Sequence, residues 1–508
     1  MKNNTLFYSI LPLSITLGCN ENKRDIEKPN IIVIYIDDLG YGDIRCNGAA
    51  SISTPSIDSL AANGLILTDA HSTAATSTPS RFSLLTGSYA FRSDATILQG
   101  DAPALIKQGT ATIASMLQQA KYKTAIIGKW HLGLGDGNLN WNDSIKPGPL
   151  DIGFDYSFII PATGDRVPCV FVENYNIVGL DSNDPIQVSY SEPIGDWPTG
   201  LSNPNLLKQK ADEQHSNTII NGISRIGYMT GGKSALWKDE EFANVLTQKA
   251  YQFIKENKEK PFFLFFSMHD IHVPRVVNPQ FCGKSSMGAR GDAILQMDWM
   301  TGQIVNSLKE LGLEENTLII FSSDNGPVVN DGYEDQSAEL LGKHKPAGEL
   351  RGGKYSAFEG GTRMPTIVYW PNKVKHGKSN ALLSQVDLYA SLAALVNVPI
   401  GENSAPDSEN HIDAWLGYTD KGRDVLLEQS VAARALRMGN WKYIEKQKQL
   451  PFDDVKKIEL GIDTIHQLYD LSIDLHEQNN LGKQYPKIAS TMDSILLTIY
   501  NSKQTRKK

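Results

Sequence analysis

The chain has 508 residues, of which 41% are hydrophobic and 21% charged, and its formal net charge at pH 7 is −8. This composition is ordinary for a globular protein, and the length allows two or more domains. Because phosphate binding needs clustered lysine and arginine, a negative chain with no internal basic run is not expected to bind nucleic acid.

The N-terminus has the pattern of a processing segment. Lys2 precedes a mostly apolar stretch from Thr5 to Leu17, and Gly18 and Cys19 follow it. The pattern resembles a bacterial lipoprotein signal, so we expect residues 1–18 to be a signal peptide, Cys19 to be lipidated and residues 19–28 to form a linker. The apolar stretch is too short for a permanent membrane helix. The protein is therefore expected in the periplasm or at the cell surface, attached to the membrane only by a lipid anchor, with a plain secretory peptide as the alternative.

Residues 29–400 are predicted to form the larger of two domains. Apolar runs rich in Ile, Val and Phe alternate here with helical patterns, which favours a mainly parallel sheet covered by helices. The predicted strands are Ile31–Ile36, Thr124–Ile127, Phe262–Phe266, Leu318–Phe321 and Thr366–Trp370. Helical spacing is clearest at 113–120, 242–253 and 294–311, and Gly312 should end the last of these helices.

Residues 401–508 are predicted to form a second, smaller domain. Turns rich in Asn, Asp and Gly separate short strands such as Val425–Glu428 and Trp441–Glu445, and a final helix is predicted near Tyr485–Tyr500. The pattern indicates an α+β fold with a short antiparallel sheet, packed on the first domain.

Polar side chains directly follow four of the predicted strands. They are Asp37 and Asp38, Lys129 and His131, His269 and His272, and Asp324 and Asn325, in chain order. Ligands of open α/β sheets bind at the carboxyl ends of the strands, so this placement predicts one composite site.

The oxygen-bearing members of this set suit a hard cation. Asp37, Asp38, Asp324 and Asn325 offer only oxygen ligands, as calcium prefers, and magnesium is the alternative. Two adjacent buried carboxylates would repel each other without a counter-charge. A solvated turn would explain Asp37 and Asp38 if they stood alone. Asp324 and Asn325 at the end of another strand favour instead a site for one calcium ion per chain.

A candidate nucleophile lies in the pentapeptide Ser77-Thr78-Pro79-Ser80-Arg81. Taken alone, this stretch is equally typical of a helix start with proline in its first turn. Together with the strand-end clusters, it resembles the signature of type I, formylglycine-dependent sulfatases in the alkaline phosphatase superfamily. Further motifs occur in the order of that family: Asn30–Gly42, Gly128–Gly133, His269–Pro274, Ser323–Gly326, Gly353–Gly361, Leu468–Leu471 and Glu477–Leu481.

The resemblance covers almost the whole mature chain and is strongest to serine-type bacterial carbohydrate sulfatases. It implies a large alkaline-phosphatase-like α/β/α domain with a mixed, mainly parallel sheet, followed by the small α+β domain. It also implies that an anaerobic radical sulfatase-maturating enzyme converts Ser77 to formylglycine (3-oxoalanine). One hydroxyl of the hydrated aldehyde would attack sulfur, and the other would later expel sulfate.

Roles for the remaining site residues also follow from the resemblance. Ser77 would be a metal ligand as well, Arg81 would hold the hydrate, and His131 would be the base that assists its collapse. Lys129 and Lys354 would surround the sulfate together with calcium. Without the surrounding motif, Lys354 would be interpreted as a solvated surface lysine.

His272 is predicted to protonate the leaving sugar oxygen, with His269 beside it on the substrate. Asp165 and Arg166 are where related enzymes place substrate-recognition groups, and a surface ion pair is the alternative. They lie in a polar region, residues 163–232, whose length and irregularity are typical of functional loops.

The predicted activity is hydrolysis of a sulfate ester on a terminal galactose or N-acetylgalactosamine of a polysaccharide or host glycan. One alternative is a phosphatase or phosphodiesterase of the same superfamily, in which an unmodified hydroxyl attacks phosphorus. Another is a catalytically inactive lipoprotein that binds glycans.

Overall fold

The computed structural model describes Met1 and residues 28–507. The predicted signal peptide beyond Met1, the lipidation site Cys19 and nearly all of the predicted linker lie outside the described residues. In the part of the chain that is described, no helix has both the length and the apolar character needed to cross a bilayer.

The central sheet of residues 28–507 has ten strands. In chain order they are β1 (Asn30–Ile36), β2 (Leu65–Leu67), β3 (Lys123–Lys129), β4 (Tyr156–Ile160), β5 (Val172–Glu173), β6 (Asn176–Ile177), β7 (Phe262–Ser267), β8 (Thr317–Ser323), β9 (Thr366–Tyr369) and β10 (Gly377–Ser379). Their spatial order is β10-β2-β9-β8-β1-β7-β3-β4-β5-β6. The middle pairs from β8 to β4 are parallel, whereas β9 and β5 join antiparallel. All five strands predicted for this domain are therefore present, and the sheet is mixed but mainly parallel.

The helices among residues 28–507 cover this sheet and the second domain. They are α1 (Pro55–Ala62), α2 (Ser77–Thr86), α3 (Ile113–Gln119), α4 (Phe242–Glu256), α5 (Gly288–Glu310), α6 (Glu359–Thr362), α7 (Leu388–Leu395), α8 (Ile412–Trp415) and α9 (Pro486–Asn501). They pack in two groups, since α1 and α4 contact α5, whereas α2 and α3 contact α7. This arrangement confirms the α/β/α fold class. Helix α5 ends as predicted, with Gly312 in the left-handed region at φ +68°.

The continuous apolar runs of the sequence become the buried middle of the sheet. All seven residues of β1 and all six of β7 are buried, because helices cover both faces of these strands. The core extends past the predicted boundary at residue 400, since Ala405, Ala414 and Trp415 belong to the same buried cluster.

The small domain contains a four-stranded antiparallel sheet, as predicted. Its strands are β11 (Val425–Gln429), β12 (Arg434–Met438), β13 (Trp441–Ile444) and β14 (Gln467–Asp470), and α9 packs on β12 and β13. Ala357 and Phe358, which lie shortly after Lys354, are buried in a cluster with residues of this sheet. The second domain therefore supports a loop that carries a predicted site residue.

Candidate active site

Four neighbouring strands deliver the predicted polar residues to one edge of the sheet. β8, β1, β7 and β3 lie side by side and run parallel, so their carboxyl ends meet. Ser77 and Arg81 reach the same place from the first turns of α2. The composite site expected from strand ends is thus present in the tertiary structure.

Ser77 lies at the centre of this cluster and begins helix α2. Its Oγ is 3.2 Å from Asp37 Oδ1, 3.3 Å from Asn325 Oδ1 and 3.0 Å from the Lys129 ammonium. The free N–H groups of a helix N-terminus favour negative charge. An anionic group placed at Ser77 would therefore meet both the helix end and a lysine.

Buried ion pairs hold the inner part of the site together. The Arg81 guanidinium donates to Asp324 Oδ2 through Nε at 3.1 Å and Nη2 at 2.8 Å. Lys129 donates to Asp37 Oδ2, and all four side chains are fully buried. Arg81 also donates to Ser267 at 2.5 Å, which fixes the guanidinium against β7.

Lys354 enters the site from a loop and not from a strand. Its ammonium donates to Asp38 Oδ2 and to Asp331 Oδ2, each at 2.9 Å. Gly353 allows this loop to approach the segment after β8 closely, because a Cβ on Gly353 would stand 2.4 Å from the carbonyl oxygen of Pro327. Lys354 is therefore a buried site residue rather than a solvated surface lysine.

The oxygen ligands converge in a way that fits a cation. Asp38 Oδ1 accepts a hydrogen bond from the Asn325 amide at 2.7 Å, and ligand atoms of Asp37, Asp38 and His272 all lie within 4.8 Å of one another. Burial raises the pKa of Asp38 to about 7, because the adjacent cations do not fully offset the loss of water. A bound divalent cation would supply the missing positive charge, and Asp37, Asp38, Asp324 and Asn325 have the hard oxygen ligands that calcium takes.

One ring nitrogen of His131 forms a hydrogen bond, and the other forms none within residues 28–507. Its Nε2 is 3.0 Å from the carbonyl oxygen of Leu98, which can only accept, so Nε2 carries the proton. Nδ1 is buried without a hydrogen-bond partner among residues 28–507. Burial also lowers the pKa of His131 well below its usual value. The ring is thus neutral with a free acceptor nitrogen, as a general base requires.

The two histidines after β7 have different surroundings. His272 faces the cavity described below, and its Nε2 is 3.9 Å from Asp38 Oδ2. His269 accepts a hydrogen bond from the backbone N–H of Gly164 at 2.8 Å and packs against Phe242. Burial lowers the pKa of His269 to about 4. Of the two rings, His272 is the one placed on the cavity wall.

A cavity of about 360 Å³ opens beside Ser77. Its lining residues are Ser77, Ile97, Leu98, Gln99, His131, Asp165, Arg166, Gln214, His215, Ile226, His272, Asp331, Lys354, Tyr355 and Lys456. Asp165 and Arg166 therefore line the same cavity as Ser77 and do not lie at a distant surface. The volume is of the order that small-molecule sites have.

Asp165 belongs to a buried charged group that the sequence did not indicate. Arg166 donates to both of its oxygens at 2.9 Å, and His215 Nε2 lies 3.4 Å from Oδ2. Burial disfavours a charged His215, but hydrogen bonds to Asp165 and Asp212 outweigh it and raise the pKa of His215 to about 9. The cavity wall thus carries a protonated imidazole beside a carboxylate, both suited to sugar hydroxyls.

Three charged side chains of the lining were missed by sequence reasoning. Asp331, His215 and Lys456 follow no predicted strand and belong to no recognised motif. Positive φ angles at Asp38 (61°), His131 (54°) and Tyr355 (75°) mark the same site. Such strained backbone concentrates at functional positions, but it becomes visible only in the structure.

Comparisons with known proteins agree with this geometry. The family model described as Sulfatase matches residues 29–398. An N-acetylgalactosamine-6-O-sulfatase of Bacteroides thetaiotaomicron is 52% identical over 508 residues, which is 98% of this chain and 99% of that protein. Human arylsulfatase A is 31% identical over 77% of this chain and 68% of its own length.

Solved structures give the same result. A Bacteroides thetaiotaomicron 6S-sulfatase, from work on the metabolism of multiple glycosaminoglycans, aligns with a TM-score of 0.92 and 52% identity. The alignment covers 94% of this chain and 100% of that one.

Proposed function

This chain belongs to the sulfatase family and is a sulfuric ester hydrolase, and we propose that it removes the 6-O-sulfate of a terminal N-acetylgalactosamine in glycosaminoglycan-type sugars. The sequence left galactose and N-acetylgalactosamine open. The near full-length relative at 52% identity supports N-acetylgalactosamine and the 6-position. One observation carries the catalytic part of the proposal: Ser77 Oγ lies 3.0 Å from Lys129 and 3.2 Å from Asp37, beside a sugar-sized cavity.

Two groups complete the proposed site. Formylglycine at Ser77 would supply a hydrated aldehyde as the nucleophile toward sulfur. Calcium, held by Asp37, Asp38, Asp324, Asn325 and the modified residue 77, would supply positive charge next to the sulfate oxygens.

The chain's own residues then have distinct tasks. Lys129 and Lys354 neutralise the sulfate oxygens, and they are held for this by buried carboxylates. Arg81 orients residue 77 through the carboxylates it binds. His131 would accept a proton from residue 77 at its Nδ1, which has no hydrogen-bond partner among residues 28–507.

Leaving-group protonation is assigned to His272. Its Nδ1 lies 2.7 Å from the carbonyl oxygen of Val273 and so donates to it. Nε2 lies 3.9 Å from Asp38 Oδ2, and burial lowers the pKa of the ring well below its usual value, so Nε2 carries no proton in the unliganded site. Nε2 needs a proton before it can act as an acid, and the negative sulfate favours that proton. His269 would support the substrate wall from behind, through Gly164. Asp165, Arg166 and His215 would bind sugar hydroxyls.

The proposal includes the cellular context. Export to the periplasm or cell surface with a lipid anchor at Cys19 is proposed from the N-terminal pattern, and an anaerobic radical maturase is proposed because residue 77 is serine. A phosphatase or phosphodiesterase activity is the competing reaction on this fold.

The decisive experiment compares protein expressed with and without an anaerobic maturase. We expect the Ser77 peptide to lose two hydrogens by mass spectrometry in parallel with the appearance of sulfatase activity. The matured enzyme should cleave N-acetylgalactosamine-6-sulfate faster than the 4-sulfate, galactose-6-sulfate, N-acetylglucosamine-6-sulfate or a phosphate ester. Ser77→Ala is the inactive control. Full activity of unmodified protein would refute the nucleophile, and preference for another sugar would refute the substrate.

A further inference from the structure

The second domain contributes a lysine to the active-site cavity. Lys456 lies in the turn between two short strands, Phe452–Asp453 and Ile458–Glu459, which pair as a hairpin. It is the member of the cavity lining that comes from beyond residue 400. A cavity built by the first domain for one sulfate therefore includes a cation supplied by the other domain.

The position of Lys456 relative to the sulfate-binding lysine is defined by Tyr355. The Lys354 ammonium lies 5.4 Å from the centroid of the Tyr355 ring, and the Lys456 ammonium lies 5.2 Å from it. Tyr355 is fixed, because its hydroxyl is 3.2 Å from Asp331 and its backbone N–H donates to Ala75 at 2.8 Å. The two ammonium groups thus lie near the same aromatic ring, and both line the cavity.

The hairpin is attached firmly to the catalytic domain. Arg351 pairs with Glu459 at 2.6 Å, and the backbone N–H of Ala357 donates to Leu460 at 2.9 Å. Asp453 accepts the backbone N–H of Lys456 at 2.9 Å and so stabilises the turn. Arg351 and Ala357 lie on either side of Lys354 in the chain. Their contacts with the hairpin therefore hold the turn, and with it Lys456, at the cavity.

The carboxylates of the cavity wall form their ion pairs with groups other than Lys456. Asp165 is paired with Arg166 and His215, and Asp331 is paired with Lys354. Lys456 has its ion pair with Asp453, three positions away, at 3.4 Å, where both side chains are about one quarter exposed at 25% and 26%. Such exposed pairs are worth at most about 1 kcal/mol. Lys456 also helps to lower the pKa of Asp331 and of Asp212, but its ion pair within residues 28–507 is the weak one with Asp453, so its ammonium can still bind an added anion.

We propose that Lys456 binds a second anionic group of the substrate, so that the enzyme prefers dianionic sugars over a sugar with a single sulfate. The second anion is either another sulfate on the same sugar or the carboxylate of a linked uronic acid. This inference rests on the proposed function, because Lys354 and the residues around Ser77 must hold the sulfate that is cleaved. It assigns Lys456 to substrate specificity and not to the reaction at sulfur.

The test measures a ratio of kcat/KM values for matched substrates. The mono-anion is N-acetylgalactosamine-6-sulfate, and the two dianions are the 4,6-disulfate and a disaccharide in which the 6-sulfated sugar is linked to glucuronic acid. We expect wild type to favour at least one dianion, and Lys456→Gln to reduce that preference about tenfold, the scale of one hydrogen bond to a charged group. The change should be in KM rather than kcat, since the contact is the same in ground and transition states. Whichever dianion shows the preference identifies the source of the anion.

Two variants control for charge and folding. Lys457→Gln removes the adjacent exposed lysine of the same turn, which does not line the cavity, and should keep the wild-type ratio. Lys456→Arg keeps the charge and should keep most of the preference. A wild-type enzyme without preference for either dianion, or an equal loss in both lysine-to-glutamine variants, would overturn the inference.

A binding measurement separates this inference from the proposed function. Calorimetry on Ser77→Ala, with and without Lys456→Gln, compares the affinities of the same three sugars without turnover. If the matured enzyme hydrolyses none of the sugars but tighter dianion binding still depends on Lys456, the proposed function fails, and Lys456 is left as an anion-binding residue without a role in substrate preference. If the matured enzyme cleaves the mono-anion and Lys456 does not affect the affinity for dianions, the inference alone fails.

Discussion

Replacing Asp43 by asparagine should destabilise the fold by about 3–5 kcal/mol, the usual cost of breaking a buried ion pair from one side. Both Asp43 oxygens accept from Arg290, each at 2.6 Å, and both side chains are fully buried. His344 Nε2 lies 2.8 Å from Oδ1, and the backbone N–H of Gly40 donates to Oδ2 at 2.8 Å. Asparagine has one acceptor oxygen and no charge, so the buried charge of Arg290 would no longer be balanced by a carboxylate.

The control for this variant is an exposed pair of the same chemistry. Lys238 and Glu241 are 3.4 Å apart with side chains 71% and 52% exposed, so Glu241→Gln should cost less than about 1 kcal/mol. Guanidinium denaturation followed by tryptophan fluorescence gives both values. If the loss for Asp43→Asn lay within about 1 kcal/mol of the control, burial would not determine the strength of the pair, and the reasoning would be refuted.

The same variant has a pH signature. Burial alone would raise the pKa of Asp43, but Arg290 outweighs it and holds that pKa below its usual value. A carboxylate with a lowered pKa stabilises the fold above the pKa of the unfolded chain, and the contribution is lost as pH falls through the folded-state pKa. Wild type should therefore lose more stability on acidification than Asp43→Asn, and parallel curves would contradict the assignment.

Three further outcomes are expected. Burial holds the pKa of His131 well below 6.5, so the imidazole should stay neutral and kcat should not fall as pH decreases through 6.5. His131→Ala should lower kcat by about 10²- to 10⁴-fold. Hydrogen bonds to Asp165 and Asp212 raise the pKa of His215 to about 9, so the charged His215–Asp165 pair is complete below the pKa of the unfolded chain and is lost as pH rises through about 9. KM should therefore rise near pH 9. His215→Gln should raise KM already at pH 7, whereas His476→Gln, a change at an exposed histidine, should not. Chelation with EGTA should abolish the activity of matured enzyme and lower its melting temperature, and added calcium should restore both; unchanged melting and activity would contradict the metal site.

Much of the catalytic centre could be predicted from the sequence because local signals coincide with it. The apolar runs of the buried parallel strands end at Ile36, Ile127, Phe266 and Phe321, and polar residues follow each of these ends closely. Since parallel neighbours end at the same edge, four local observations combine into one site. The family motifs then assigned roles to the same positions.

The substrate side of the cavity was harder to predict. Asp331 and His215 lie in irregular segments, where neither periodicity nor a motif marks a residue. Their importance comes from partners that are close only in space, such as Lys354 at 2.9 Å from Asp331 and Asp165 at 3.4 Å from His215.

Local sequence patterns were enough to predict the fold class, the strand-end cluster, the candidate nucleophile Ser77 and the family resemblance. These depend on hydrophobic periodicity and on short motifs, both of which are properties of neighbouring residues. Only the tertiary structure decided which histidine faces the cavity, which carboxylates neutralise the lysines, and that Lys456 of the second domain reaches the active site. The physical reason is that charges and hydrogen bonds act over a few ångströms in space, whereas the residues they join are up to several hundred positions apart in the chain.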